Sequence, residues 1–180
     1  MRKQRITALI LAALIAASAS NCSISKKAAS KGYQTIPDSE TKILVGHIPR
    51  SILETDTAFA WFKNNMRFGS ADAAAVQAFT ARANQFSVVV YAGTWCHDSQ
   101  NLLPVFYRLL DKSGYPLDKV KLIGVDRTKK APDGSHERWN IINVPTFIIL
   151  DNNGKEVGRV VEYGKYGVID KELGEIVSRL

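Results

Sequence analysis

Cysteine is nearly absent from this 180-residue chain: there are two, at positions 22 and 96. Neither belongs to a Cys-x-x-Cys pair, so a redox centre that closes its own disulfide on two neighbouring thiols is excluded. Histidine is scarce too, with three in all. Cys96 and His97 are chain neighbours with poor geometry for one tetrahedral ion, and His47 and His136 lie far off in sequence, so no metal site is expected. The longest apolar run, Ile6–Ala17, is interrupted by Thr7 and falls short of the roughly 20 residues of a membrane-spanning helix. No nucleotide, haem or flavin motif occurs, and no cofactor is expected. Internal repeats are missing. Basic residues are scattered rather than gathered into a stripe with interleaved aromatics, which speaks against a nucleic-acid partner.

What is present begins at the N-terminus. Arg2, Lys3 and Arg5 precede the short apolar run, and small residues follow it, the pattern of an export signal over residues 1–21. Without that segment the net charge falls from +7 to 21 basic minus 17 acidic residues, or +4, an ordinary solvated surface. Cys22 ends the segment Ala19-Ser20-Asn21-Cys22, which resembles the lipobox of bacterial lipoproteins, although Asn21 stands where a small residue is usual. The resemblance implies that Cys22 is lipidated and that the protein sits in the bacterial cell envelope, anchored to a membrane and facing the periplasm or exterior. Cleavage after Ala19 and release as a soluble periplasmic protein is the alternative. With Cys22 lipidated, Cys96 is the only thiol left.

Residues 22–40 lack apolar periodicity and read as a flexible tether. Residues 41–180 read as one domain, with 41–70 an N-terminal extension. A short strand is expected at 41–45, a turn at Ile48-Pro49, a helix capped by Thr55 or Asp56 and running to Met66, and another over 71–84. Beyond it the order is strand 87–92, helix 97–112, strand 120–125, a loop with a short helix over 126–142, strand 145–150, strand 155–162 and helix 168–180. Asn153-Gly154 between two apolar runs is a hairpin signal. Strands and helices in this alternation, ending in a hairpin plus helix, predict an α/β fold with a mixed central sheet and helices on both faces. Trp139, Ile141 and Ile142 read as core, and Trp61, Phe62 and Phe68 as cover for a sheet edge.

The most informative stretch is Val88-Val89-Val90-Tyr91-Ala92-Gly93-Thr94-Trp95-Cys96-His97-Asp98-Ser99. A β-branched run stops at Gly93, and helical spacing of Leu102, Leu103, Phe106, Leu109 and Leu110 follows. A buried strand thus delivers Cys96 to the first turn of a helix, where free N–H groups and the helix dipole favour a thiolate. Cys96 as an inert packed thiol is the competing reading.

Together with Asn143-Val144-Pro145-Thr146-Phe147-Ile148-Ile149-Leu150, this stretch resembles the thioredoxin superfamily, in a single-cysteine Cys-x-x-Ser form. The resemblance covers about residues 75–180 and implies the three-layer thioredoxin-like fold, with Pro145 cis and facing Cys96. Val90 stands where the family usually has a buried aspartate, and His97-Asp98 replaces its Gly-Pro pair. Cys96 is then the expected nucleophile in a thiol–disulfide oxidoreductase or isomerase working through a mixed disulfide. Ser99 would donate a hydrogen bond to the sulfur, and His97, when cationic, would favour its anion while Asp98 opposes it. Trp95, Val144, Pro145 and Thr146 would contact substrate. The implied partners are protein disulfides or small thiols, with an external dithiol as reductant. The alternative is a redox-inactive module, or chaperone, holding extended peptides between Trp95 and Pro145.

Overall fold

The computed structural model describes residues 32–180; the segment expected as an export signal, Cys22 and the expected tether up to residue 31 lie outside the described residues. Part of the stretch expected as tether up to residue 40 is regular structure. Tyr33–Ile36 forms strand β1, which pairs antiparallel with β2 (Ile43–His47), Tyr33 opposite Gly46 and Ile36 opposite Ile43. Gln34 and Thr35 hide this strand from a periodicity search, because its stability comes from the partner strand rather than from its own pattern.

Helix α1 (Arg50–Thr55) starts at Pro49, whose fixed φ suits a helix entry. Asp56 ends α1 and accepts from the Ala58 N–H to start a 3₁₀ turn, which runs into α2 (Ala60–Met66). The helix expected from Asp56 to Met66 thus begins as this 3₁₀ turn, and α1 before it is an additional helix where the sequence predicts only a turn at Ile48-Pro49. Helix α3 (Ala73–Arg82) is capped by the Asp72 carboxylate on the Ala75 N–H. Strand β3 (Phe86–Ala92), helix α4 (His97–Ser113), strand β4 (Val120–Gly124), the short helix α5 (Ser135–Arg138), strands β5 (Thr146–Asp151) and β6 (Glu156–Val161), and helix α6 (Ile169–Ser178) complete the chain.

The six strands form one sheet in the order β1-β2-β4-β3-β5-β6. Only β3 and β4 run parallel, joined through α4; the other neighbours are antiparallel. A central strand covered on both faces needs apolar residues at both phases of the pleat. Val88, Val90 and Ala92 of β3 accordingly enter the larger core cluster, while Val89 and Tyr91 enter a smaller one behind the sheet.

Helices lie on both faces, in unequal measure. Helices α3, α4 and α6 pack on one another, with α1 and α2 beside α4, and close the larger cluster with Phe59, Phe62, Phe79, Phe106 and Phe147. Among the described residues the opposite face carries only α5 and the loop around it. Leu102, Leu103, Phe106, Leu109 and Leu110 of α4 are buried at helical spacing, each contributing roughly 1.5–3 kcal/mol through the area it removes from water. Pro104 in this helix has no N–H for the Gln100 carbonyl one turn back. That carbonyl accepts from Asn65 Nδ2 of α2 at 3.2 Å, so the break in the ladder is where the N-terminal extension attaches. Phe62, expected to cover a sheet edge, instead packs within the helical layer, its ring 5.4 Å from that of Tyr107 of α4; Phe68 is 71% exposed, and Ile142, expected in the core, is 66% exposed.

Candidate active site

Strand β3 ends at Ala92, and Gly93 turns the chain under the Trp95 indole. A Cβ at Gly93 would lie 2.6 Å from Trp95 Cε2, so the ring packs where only glycine leaves room. The Cys96 N–H donates to the Gly93 carbonyl at 3.0 Å. Cys96 then occupies the N-cap position of α4 in extended conformation, with no side-chain oxygen capping the helix. Its carbonyl accepts the first helical bond, from the Gln100 N–H at 3.0 Å. A 17-residue helix thus presents its open first turn beside the sulfur. Cys96 is half-buried and is a free thiol.

The second segment meets it from the far side of the sheet's end. The Val144–Pro145 peptide is cis, and the Cys96 thiol donates to the Val144 carbonyl at 3.3 Å. The Glu162 N–H donates to the Pro145 carbonyl at 2.7 Å, fixing this turn to the end of β6. Trp95, Cys96, Val144 and Pro145 are therefore brought together. His97 is exposed at the first residue of α4. Tyr163 joins the rim, its hydroxyl accepting from Asn101 Nδ2.

Two expected contacts take a different form. The fully buried Ser99 hydroxyl accepts from the Gly93 N–H at 3.2 Å, so it braces the turn rather than reaching toward the sulfur. Thr146 is buried, and its hydroxyl donates to the Asn143 carbonyl at 2.7 Å, which supports the proline turn from behind. Val90 is fully buried among apolar side chains, so no titratable group sits under Cys96 at that position.

The site also rests on residues that no local pattern marks. Thr94 is 1% exposed; its hydroxyl accepts from the Leu44 N–H (3.1 Å) and donates to the Lys42 carbonyl (2.9 Å), clipping β2 to the Cys96 turn. Gln100 reaches back to the Thr94 carbonyl at 2.9 Å. Trp95 Nε1 donates to the Val125 carbonyl at 3.0 Å, and the Arg127 guanidinium lies 5.6 Å from the ring centroid. Arg127 in turn binds Asp38 through two nitrogens and Glu40 through one. These hydrogen bonds from Arg127 hold the Asp38 carboxyl well below the usual carboxylate range. The β1–β2 hairpin is thus fastened to the active-site loop at Thr94 and at Arg127.

A cysteine at the N-cap position of a helix, following a parallel-paired central strand and with a cis-proline turn against it, defines a thioredoxin-like fold. Residues 54–167 match the thioredoxin family, and the chain belongs to it. Among solved structures it is similar to an HIV epitope scaffold (18% identity, 67% of this chain and 78% of that one, TM-score 0.42). It is also similar to a Pseudomonas aeruginosa protein of unknown function (19%, 66% and 74%, TM-score 0.41). A third is the reduced thioredoxin pre-protein of Schistosoma mansoni (25%, 60% and 91%, TM-score 0.36). No curated protein matches the chain.

Proposed function

We propose that this protein is a single-cysteine thiol–disulfide oxidoreductase or isomerase of the bacterial envelope, tethered to a membrane through lipidated Cys22. The observation that carries the reading is the position of Cys96, half-buried at the open first turn of α4 and 3.3 Å from the Val144 carbonyl. As a thiol it donates to that carbonyl; as a thiolate it faces the free N–H groups of the helix start, which favour an anion.

The Cys96 thiolate attacks one sulfur of a substrate disulfide. A Cys96–substrate S–S bond forms as the old bond breaks, and the leaving thiolate keeps the bonding electron pair and takes a proton from water. Ser99 has no thiol with which to displace the substrate. Another thiol of the substrate can attack the mixed disulfide and restore Cys96, which rearranges disulfides with no net oxidation. An external dithiol can do so instead, becoming a disulfide itself while the substrate is reduced. Val144 and Pro145 align the substrate backbone, Trp95 lies alongside, and exposed His97 adds positive charge when protonated. Ser99 and Thr146 hold the two turns in place.

The test is to incubate the reduced full chain with a glutathionylated single-cysteine peptide and map adducts by mass spectrometry. The expected result is a mixed disulfide at Cys96 that persists until dithiothreitol is added and is absent from Cys96→Ser. No adduct at Cys96, with peptide binding equal in the wild type and Cys96→Ser, would overturn the redox reading in favour of a peptide-holding module.

A further inference from the structure

Among the described residues, the sheet face turned away from the helical layer is incompletely covered, and the gap has a chemical character of its own. In place of a long helix, the chain from Val125 to Val144 crosses this face as a loop carrying the four-residue α5. It covers Ile148 completely but leaves a cleft of about 500 Å³ toward β4 and β2. That volume lies within the range of sites that take small organic molecules.

The floor of the cleft is apolar: Val89, Ile123 and Leu150 from three adjacent strands, with the Tyr91 ring among them. The Trp139 indole forms one wall. The rim is cationic. Lys121 projects from β4, one pleat before Ile123, and Arg138 projects from α5 with its guanidinium 5.7 Å from the Trp139 ring centroid. Neither has an ion-pair partner among the described residues. The acid on this rim, Asp133, is already engaged: it accepts from the Ser135 N–H at 3.0 Å and the Ser135 hydroxyl at 2.6 Å. Those Ser135 hydrogen bonds, helped by the Arg138 charge, hold the Asp133 carboxyl below its ordinary range, so two cations against one carboxylate leave the rim net positive over an apolar floor.

The geometry points to a binding site for a small organic anion, an apolar body bearing one carboxylate or sulfonate, seated on Val89, Ile123 and Leu150 with its charge between Lys121 and Arg138. The site lies on the face of the sheet away from the α4 helix layer, and its lining includes neither Cys96 nor the residues hydrogen-bonded to it, so the ligand would not touch the thiol. Apolar contact supplies burial, and charge-assisted hydrogen bonds to the two cations select the anion over a neutral molecule of the same shape.

Calorimetric titration of the full chain with 2-naphthoate, and with uncharged 2-naphthamide as control, tests the inference. Saturable binding of one naphthoate per chain is expected, with naphthamide weaker by tenfold or more, since a hydrogen bond to a charged group is worth roughly 1.5–3 kcal/mol. The double variant Lys121→Glu/Arg138→Glu should lose naphthoate binding by at least the same factor while keeping its unfolding midpoint, because both side chains are exposed. Cys96→Ser should bind as the wild type does. No saturable binding at millimolar naphthoate, equal affinity for the amide, or undiminished binding by the double variant would overturn it.

Discussion

Replacing Thr94 by valine keeps the shape of the side chain and removes its hydroxyl, and two buried backbone groups then lose their partner. In the native turn the hydroxyl accepts from the Leu44 N–H and donates to the Lys42 carbonyl, at 3.1 and 2.9 Å. Leu44 is fully buried, so its N–H has no water to turn to, whereas Lys42 is half-buried and its carbonyl has partial access. Leaving a buried polar group unmatched costs about 1–3 kcal/mol. Assigning most of that to Leu44 and less to Lys42 gives roughly 2–4 kcal/mol for Thr94→Val. Thr94→Ser retains the hydroxyl and gives up one methyl group, a loss near 1 kcal/mol. Urea unfolding followed by circular dichroism would read both, as a fall in midpoint with unchanged slope. A Thr94→Val variant within about 0.5 kcal/mol of wild type, or a serine variant as unstable as the valine one, would refute the assignment of this hydroxyl as the clip between β2 and the Cys96 turn.

Gly124→Ala places a Cβ 2.2 Å from the Leu44 carbonyl oxygen, a backbone atom, so β2 must move away from β4. Hydrogen exchange should accelerate in β1 and β2 but not in β5, at a stability cost of about 1–3 kcal/mol; unchanged exchange in the hairpin would count against the pairing. For Asp38, hydrogen-bonded by Arg127, the folded-state value lies below the unfolded one. Its stabilisation is therefore fully present above the unfolded carboxylate value near about 4 and is lost as the pH falls toward the folded value. The stability gap between wild type and Asp38→Asn should narrow from pH 5 to pH 2 in urea titrations, and a constant gap would contradict the Arg127 contact.

Much of the fold is legible in the sequence because it is written locally. Strands β3, β5 and β6 and helices α4 and α6 are apolar runs of the right period bounded by glycine, proline or asparagine, and they fall within a residue or two of expectation. Strand β1 carries no such mark, and α1 hides behind Pro49, which reads equally as a turn. The juxtaposition of Cys96 and Pro145 was accessible through a family resemblance, not through spacing. The rest of the site depends on contacts between distant positions: Arg127 with Asp38, and Thr94 with Leu44. Ser99 shows the limit within a motif, since its residue type is legible but the direction of its hydroxyl depends on where Gly93 sits.

The placement of β2 has a consequence for the order in which the chain can fold. Gly46 pairs with Gly124, which follows it by 124 − 46 = 78 positions, so on a growing polypeptide the first two strands emerge long before their docking edge exists. A two-stranded hairpin alone is marginal in water. Contacts of such separation also close slowly, because the loop entropy must be met first. The helical layer and the β3–β4 unit can assemble without β1 and β2, and the hairpin then locks on through Thr94 and Arg127. The turn that carries Cys96 is thus closed by a hairpin that is made early in synthesis but can dock only once β3 and β4 exist.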